Sequence, residues 1–160
     1  MHVNKLLMDI MRSEWLMSFE GLTAYAPIAH KIITGESLNI GNKTSAIVTI
    51  LDDNGKKVLA DKDNGMVVPR GSVAVIDMIG PVIKYGDFCT YGADEIVNAL
   101  RLADANPNII GSVLNVDGPG GAVSAIGPFM DFGAKKKKPV VGLADQACSL
   151  HYWALCAATD

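Results

Sequence analysis

From Gly71 onward, short apolar runs alternate with segments whose apolar residues fall at helical spacing. Val73 to Ile79 predicts a strand, closed by Gly80-Pro81. Ala93, Ile96, Val97, Leu100 and Ala103 mark one helix face, and Asn106-Pro107-Asn108 stops that helix. Ile109 to Val116 predicts the next strand, Asp117-Gly118-Pro119-Gly120-Gly121 a turn, and Val123 to Ala134 a short helix. Lys135 to Lys138 precede Pro139, and Pro139 to Leu143 predicts a third strand. A last apolar helix is expected over Ser149 to Ala158. This β-α-β-α-β-α order implies an α/β fold with parallel strands and right-handed crossovers.

The first 70 residues have a different texture. Val3, Leu6, Leu7, Ile10 and Met11 sit at helical spacing. Ala24 to Ile33 predicts a second helix, with Pro27 in its first turn. Both belong to an N-terminal helical arm, residues 1–40, expected to pack on the core or on a neighbouring subunit. Residues 41–70 read as a β-rich connector. Ala46 to Leu51 is β-branched enough for a strand, Asp53-Asn54-Gly55 is a turn signal, and Val58-Leu59 can return as a partner. Asp61 to Gly65 reads as a loop. Residues 71–160 form the core unit.

Composition narrows the function. The chain has 160 residues, enough for one domain, with 49% apolar and 19% charged residues, which excludes a disordered tail. The net charge of -3 argues against bulk attraction to nucleic acid. No uninterrupted apolar stretch reaches the ~18 residues of a spanning helix. Asp9, Arg12 and Glu14 interrupt the apolar N-terminus as a signal peptide. Cys89, Cys148 and Cys156 are too few and oddly numbered for a disulfide framework, and no pair has zinc spacing. They read as reduced thiols in a cytoplasmic setting, and neither a metal nor a cofactor is expected.

Two loops could carry chemistry. Asp117 to Gly121 follows a strand, where ligands of open α/β sheets bind, and paired glycines let backbone amides approach a ligand. Two amides aimed at one point can stabilise an oxyanion. The plain alternative is a tight turn. Asp145 to Trp153 follows a strand and opens a helix, so Ser149 would sit on a strand-to-helix elbow near free N–H groups. Here the plain alternative is a helix N-cap. Gly121 precedes Ser149 by 28 residues, room for one helix and one strand. One βαβ unit can thus set both loops side by side.

Three segments carry a family resemblance. Gly71 to Val82 (GSVAVIDMIGPV) looks like a first core strand with its Gly-Pro turn. Leu114 to Val123 (LNVDGPGGAV) looks like a Ser-Pro-Gly-Gly loop with Gly118 in place of the serine. Ala144 to Trp153 (ADQACSLHYW), followed by Ala157 to Asp160 (AATD), looks like an Ala-Ser-Gly-Gly-Tyr-Tyr segment. In order and spacing they resemble the signal peptide peptidase A (SppA) family of serine peptidases, above all its phage relatives, the protein C-like head maturation proteases. The resemblance implies a ClpP/crotonase-like fold of repeated β-β-α units. It implies Ser149 as nucleophile, the Gly121 and Leu150 amides as oxyanion hole, and Gly118 and Gly120 lining the substrate site. It also implies a Ser–Lys dyad, in which burial lowers the lysine pKa. The expected substrate is an extended peptide or protein segment. Expected partners are further copies of the chain and capsid or scaffold proteins, in the host cytoplasm or virion.

The departures shape the expectation. Leu150-His151 stand where a glycine pair is usual, and no lysine follows Ser149 in the remaining 11 residues. The chain therefore reads as the N-terminal part of a longer protein with a C-terminally incomplete core, or as a degenerate relative. Among stand-in bases, His151 lies at i+2 from Ser149, off its helix face, and Lys84 follows the Gly-Pro turn. Lys135 to Lys138 read as a solvated helix end, Asp117 as a turn-shaping residue, and Cys148 as packing. Tyr152 and Trp153 read as core or interface aromatics. The rival functions are a catalytically inactive scaffold or capsid-associated module, and a crotonase-type acyl-CoA enzyme.

Overall fold

The computed structural model describes residues 10–36, 46–59, 67–86 and 90–160. The chain forms β1 (Trp15–Met17), α1 (Phe19–Thr34), β2 (Val48–Leu51), β3 (Ser72–Ile79), α2 (Ala93–Ala105) and β4 (Ile109–Gly118). It continues through β5 (Gly120–Ala122), a 3₁₀ turn at Val123–Ala125, α3 (Ile126–Lys135), β6 (Val140–Ala147) and α4 (Leu150–Ala158). The protein is a mixed α/β fold. Its main sheet has the order β2-β3-β4-β6, with β2 antiparallel to β3 and the other three strands parallel.

Period-two patterning decides which face of the sheet is covered. Ala74, Ile76 and Met78 of β3 and Leu114 and Val116 of β4 are buried. They form one cluster with Ile96, Val97 and Leu100 of α2, Phe129 and Phe132 of α3, and Leu150, Ala154 and Ala158 of α4. The intervening positions make the opposite face. There Val113 lies between Val75 and Val141, and Asn115 lies between Asp77 and Leu143. Asn115 donates to Asp77 Oδ1 at 2.8 Å. Val141 and Leu143 on edge strand β6 are 60% and 59% exposed. Val141→Lys is therefore expected to change stability by no more than about 0.5 kcal/mol. Leu114→Ala, on the covered face, is expected to cost about 2–5 kcal/mol. Denaturant titration of the two variants checks the pair, and a large loss with Val141→Lys would contradict this assignment of faces.

The parallel strands and the helices after them follow the predicted order, but the last strand runs to Ala147, four residues past the predicted end at Leu143, because β6 keeps pairing with β4 as far as Gly118. The N-terminal region differs. The helix predicted from Ala24 starts at Phe19, so Pro27 lies in its interior and not in its first turn. Ser18 explains the earlier start: its Oγ accepts from Gly21 N–H at 3.1 Å, and Glu20 sits in the positive first turn. Pro27 removes one helical donor, on an exposed face. Trp15 to Met17 is a strand and not part of a helical arm. Of the first predicted helix, only Ile10 to Arg12 are described, and they are helical. Val3, Leu6 and Leu7 lie outside the described residues, as do Cys89 and the predicted loop at 61–65. The connector strand returns only in part: Val58 N–H donates to Ile50 O at 2.8 Å. The glycine turn is also shorter than predicted. β4 runs through Gly118 and β5 resumes at Gly120, leaving Pro119 alone between them.

Candidate functional site

β6 and α4 meet at Ser149, which has φ 54° and ψ -112°. It is the one non-glycine residue at positive φ among the described residues. A side chain in that region carries strain of about 1–3 kcal/mol, which such elbows hold only when their surroundings over-determine them. Here the surroundings are specific. Cys148 N–H donates to Gly118 O at 3.2 Å, and His151 N–H donates to Cys148 O at 3.0 Å. The Ser149 side chain is exposed and makes no capping bond to α4, so the plain N-cap alternative does not describe it. Leu150 opens α4 with its side chain buried. As the first helical residue, its N–H has no intrahelical acceptor.

The glycine segment lies beside this elbow, because Gly118 pairs with Ala147 across β4 and β6. The same segment is flanked by two further pieces of backbone. On one side Val82 N–H donates to Gly120 O at 3.1 Å, and Ala122 N–H donates to Val82 O at 2.8 Å. On the other side lies β1, antiparallel, with Leu16 opposite Gly121. Val123 N–H donates to Glu14 O and Ser18 N–H to Pro119 O, each at 2.8 Å. Hydrogen-bonded pairs alternate in an antiparallel ladder, so Leu16–Gly121 is the bonded pair between those two and the Gly121 N–H is directed at Leu16 O. The structure thus brings Ser149, Leu150, Gly118, Gly120 and Gly121 into one region, but the Gly121 amide already has an acceptor.

Glycine is needed here for close approach. A Cβ at Gly121 would stand 2.0 Å from Val82 O, and one at Gly120 would stand 2.0 Å from Leu16 O. Gly120 also has φ +120°. At Gly118 a Cβ would meet His151 Nε2 at 2.3 Å and Gly80 O at 2.7 Å.

His151 therefore packs against the glycine segment. It is 1% exposed, and neither ring nitrogen has a hydrogen-bond partner. Burial lowers its pKa from 6.5 to about 4, against the opposing influence of the Gly80 carbonyl and the Asp117 charge. The Gly80 carbonyl is near enough to favour the imidazolium without meeting hydrogen-bond geometry. The folded state holds the ring neutral while the unfolded chain takes up a proton near pH 6.5. Stability is thus lost as pH falls from about 6.5 to about 4, by about 3 kcal/mol in all. Denaturant titration at pH 7 and pH 4.5 should show most of that loss, and His151→Leu should remove it. An equal acid loss in the variant would contradict the assignment. Asp131, beside Lys135 and Arg101, and Asp160, beside Lys136 and the Val140 N–H, are held below the usual carboxylate range. Their contributions fall away at lower pH than that of His151.

The remaining candidates are placed as follows. Lys84 stands over the Tyr85 ring at 5.0 Å. Lys135 and Lys136 pair with Asp131 and Asp160, and Lys138 Nζ donates to the Ala103 and Asn106 carbonyls at the end of α2. The lysine run is thus tied to its neighbours and is not simply a solvated helix end. Tyr152 and Trp153 are 64% and 42% exposed on α4, so neither is a core aromatic. Cys148 and Cys156 are free thiols. A cleft of about 350 Å³ opens between Ser18 and Gly21 at the start of α1, Gly80, Asp117, Pro119 and Gln146. Among the described residues, no group of three or more His, Cys, Asp or Glu is arranged to hold a metal, and no helix is long and apolar enough to cross a membrane. Sequence reasoning missed β1. Its usable signal was Ser18 two residues before Glu20, a helix start that leaves Trp15 to Met17 outside the helix. In comparisons with protein-family models and with curated proteins, the chain matches none.

Proposed function

We propose that this protein is a serine endopeptidase of the signal peptide peptidase A type, built on a ClpP/crotonase-like core. The observation that carries the reading is the backbone of Ser149: a strained, uncapped serine on a strand-to-helix elbow, hydrogen-bonded through Cys148 to the glycine segment. In this reading Ser149 Oγ attacks the scissile carbonyl. The leaving amine takes a proton, and water then hydrolyses the acyl-enzyme. The developing oxyanion lies between the Leu150 N–H, at the positive end of α4, and the Gly121 N–H. The proton acceptor is a lysine from outside these 160 residues. Gly120 leaves room for an extended substrate backbone where Leu16 now lies, whereas the space beside Gly118 is taken by His151 and the Gly80 carbonyl. The natural task is trimming of scaffold or capsid proteins during phage head assembly, by a homo-oligomer in the host cytoplasm or virion.

One observation favours a second reading, an inactive scaffold or capsid-associated module of the same family: the Gly121 amide is already bonded to Leu16. Cleavage of an unfolded protein substrate by the full-length protein separates the two. The peptidase reading expects cleavage that a serine-directed fluorophosphonate stops and a chelator does not. Absence of cleavage by folded protein with β1 released favours the scaffold.

A further inference from the structure

The Trp15–Met17 strand sits on the amide that the proposed chemistry needs. An oxyanion donor works when its N–H is aimed at the oxygen of the reacting carbonyl. In this structure the Gly121 N–H is aimed at the carbonyl oxygen of the chain's own Leu16. β1 is extended, antiparallel to Gly120–Ala122, and bonded to it at both ends through Glu14 O and the Ser18 N–H. Pairing of this kind is how an extended peptide adds to a sheet edge.

The side chains of β1 divide between two faces. Trp15 and Met17 share one face of the strand. With Tyr25, Ile28, Ile79 and Pro81 they line one apolar cavity of about 630 Å³ between α1 and the end of β3. Leu16 points the other way and is 38% exposed. Past the strand, Gly21 of α1 approaches Pro119 so closely that a Cβ there would lie 2.3 Å from Pro119 Cβ. The close approach at Gly120 completes the fit, since any side chain at that position would project into Leu16.

We propose that β1 is a cis-acting blocker. It occupies the edge on which an extended substrate would pair, and it must leave before the Gly121 amide can serve Ser149. This inference rests on the peptidase reading for its consequence. Its structural content, a strand that competes with an added peptide for Gly120–Ala122, stands apart from catalysis.

The test uses the full-length protein, a fluorophosphonate probe and a synthetic peptide spanning Glu14 to Phe19 (EWLMSF). Leu16→Pro removes the Leu16 N–H and breaks the ladder. The double variant Trp15→Ser/Met17→Ser loosens the strand without a backbone change and covers the case in which the proline variant does not fold. Both variants should label at Ser149 about tenfold faster than the wild type or more, as expected when the wild-type strand is open about a tenth of the time or less. The added peptide should slow labelling of the variants and leave the wild type unchanged. Residue-resolved hydrogen exchange gives a readout independent of activity. Gly121 N–H should exchange faster in the variants while Ala122 N–H, bonded to Val82, stays protected. The peptide should restore protection at Gly121. Equal labelling of wild type and variants, with Gly121 exchange released, would overturn the blocker. If no form labels, the peptidase reading fails, and the exchange data alone decide: peptide-restored protection upholds competition for the edge, and its absence overturns it.

Discussion

Ser149→Ala in the full-length protein is expected to lower peptide-bond hydrolysis about ten-thousand-fold or more, the scale seen when a nucleophile is removed and only binding and oxyanion contacts remain. The fold should survive, because the Ser149 side chain is exposed and caps nothing. A companion variant separates chemistry from backbone strain. Ser149 holds φ 54° with a Cβ present, which alanine does not relieve and glycine does. Ser149→Gly should therefore be as inactive as Ser149→Ala and more stable by about 1 kcal/mol. Comparison of turnover and denaturation midpoints for the two variants checks this. Residual activity near wild type in either one would remove Ser149 from the mechanism. Equal stability would remove the strain.

Gly121→Ala is expected to produce a large loss of stability. The added methyl would lie 2.0 Å from Val82 O, 2.9 Å from Val82 N and 2.8 Å from the carbonyl carbon between them. All three are backbone atoms, so no rotamer change relieves the clash. To make room, Val82 must move and weaken its bonds with Gly120 O and the Ala122 N–H. Overpacking plus a lost pair of buried backbone bonds puts the cost above about 3 kcal/mol. Gly127→Ala in α3 is the control. Nothing lies within 4 Å of its Cβ position, and alanine favours a helix, so it should stabilise by about 0.5–1 kcal/mol. Thermal melts of both variants test the contrast. A mild effect of Gly121→Ala would mean that the Val82 strap is not held against the glycine segment as described.

The covered side of the parallel sheet was legible because β3 and β4 carry apolar residues at alternate positions, Ala74, Ile76 and Met78 and then Leu114 and Val116, bounded by Gly80-Pro81 and by Asn106-Pro107-Asn108, and because α2 repeats its apolar residues at one helical period. β1 was not legible. Three consecutive apolar residues between two predicted helices show no alternation, and their partner is Gly120–Ala122, far along the chain. Propensity does not report a pairing that tertiary contact creates. The helix start suffered the same way: Pro27 drew it to Ala24, while the Ser18 cap sets it at Phe19. Within the site, Ser149 and the glycines were legible only together, as an elbow and a glycine pair one βαβ unit apart. The φ of Ser149, the occupancy of the Gly121 amide and the seat of the His151 ring depend on distances between strands. The i+2 rule moved His151 away from Ser149 without saying that its ring would rest against Gly118.

The central claim, that Ser149 is a nucleophile on a strained elbow, is tested most directly by treating the full-length protein with a fluorophosphonate and mapping the adduct by peptide mass. The account predicts a single adduct on Ser149, faster in Leu16→Pro and absent in Ser149→Ala. Folded protein that carries no adduct on Ser149 in either the wild type or Leu16→Pro, or labelling that persists in Ser149→Ala, would contradict it.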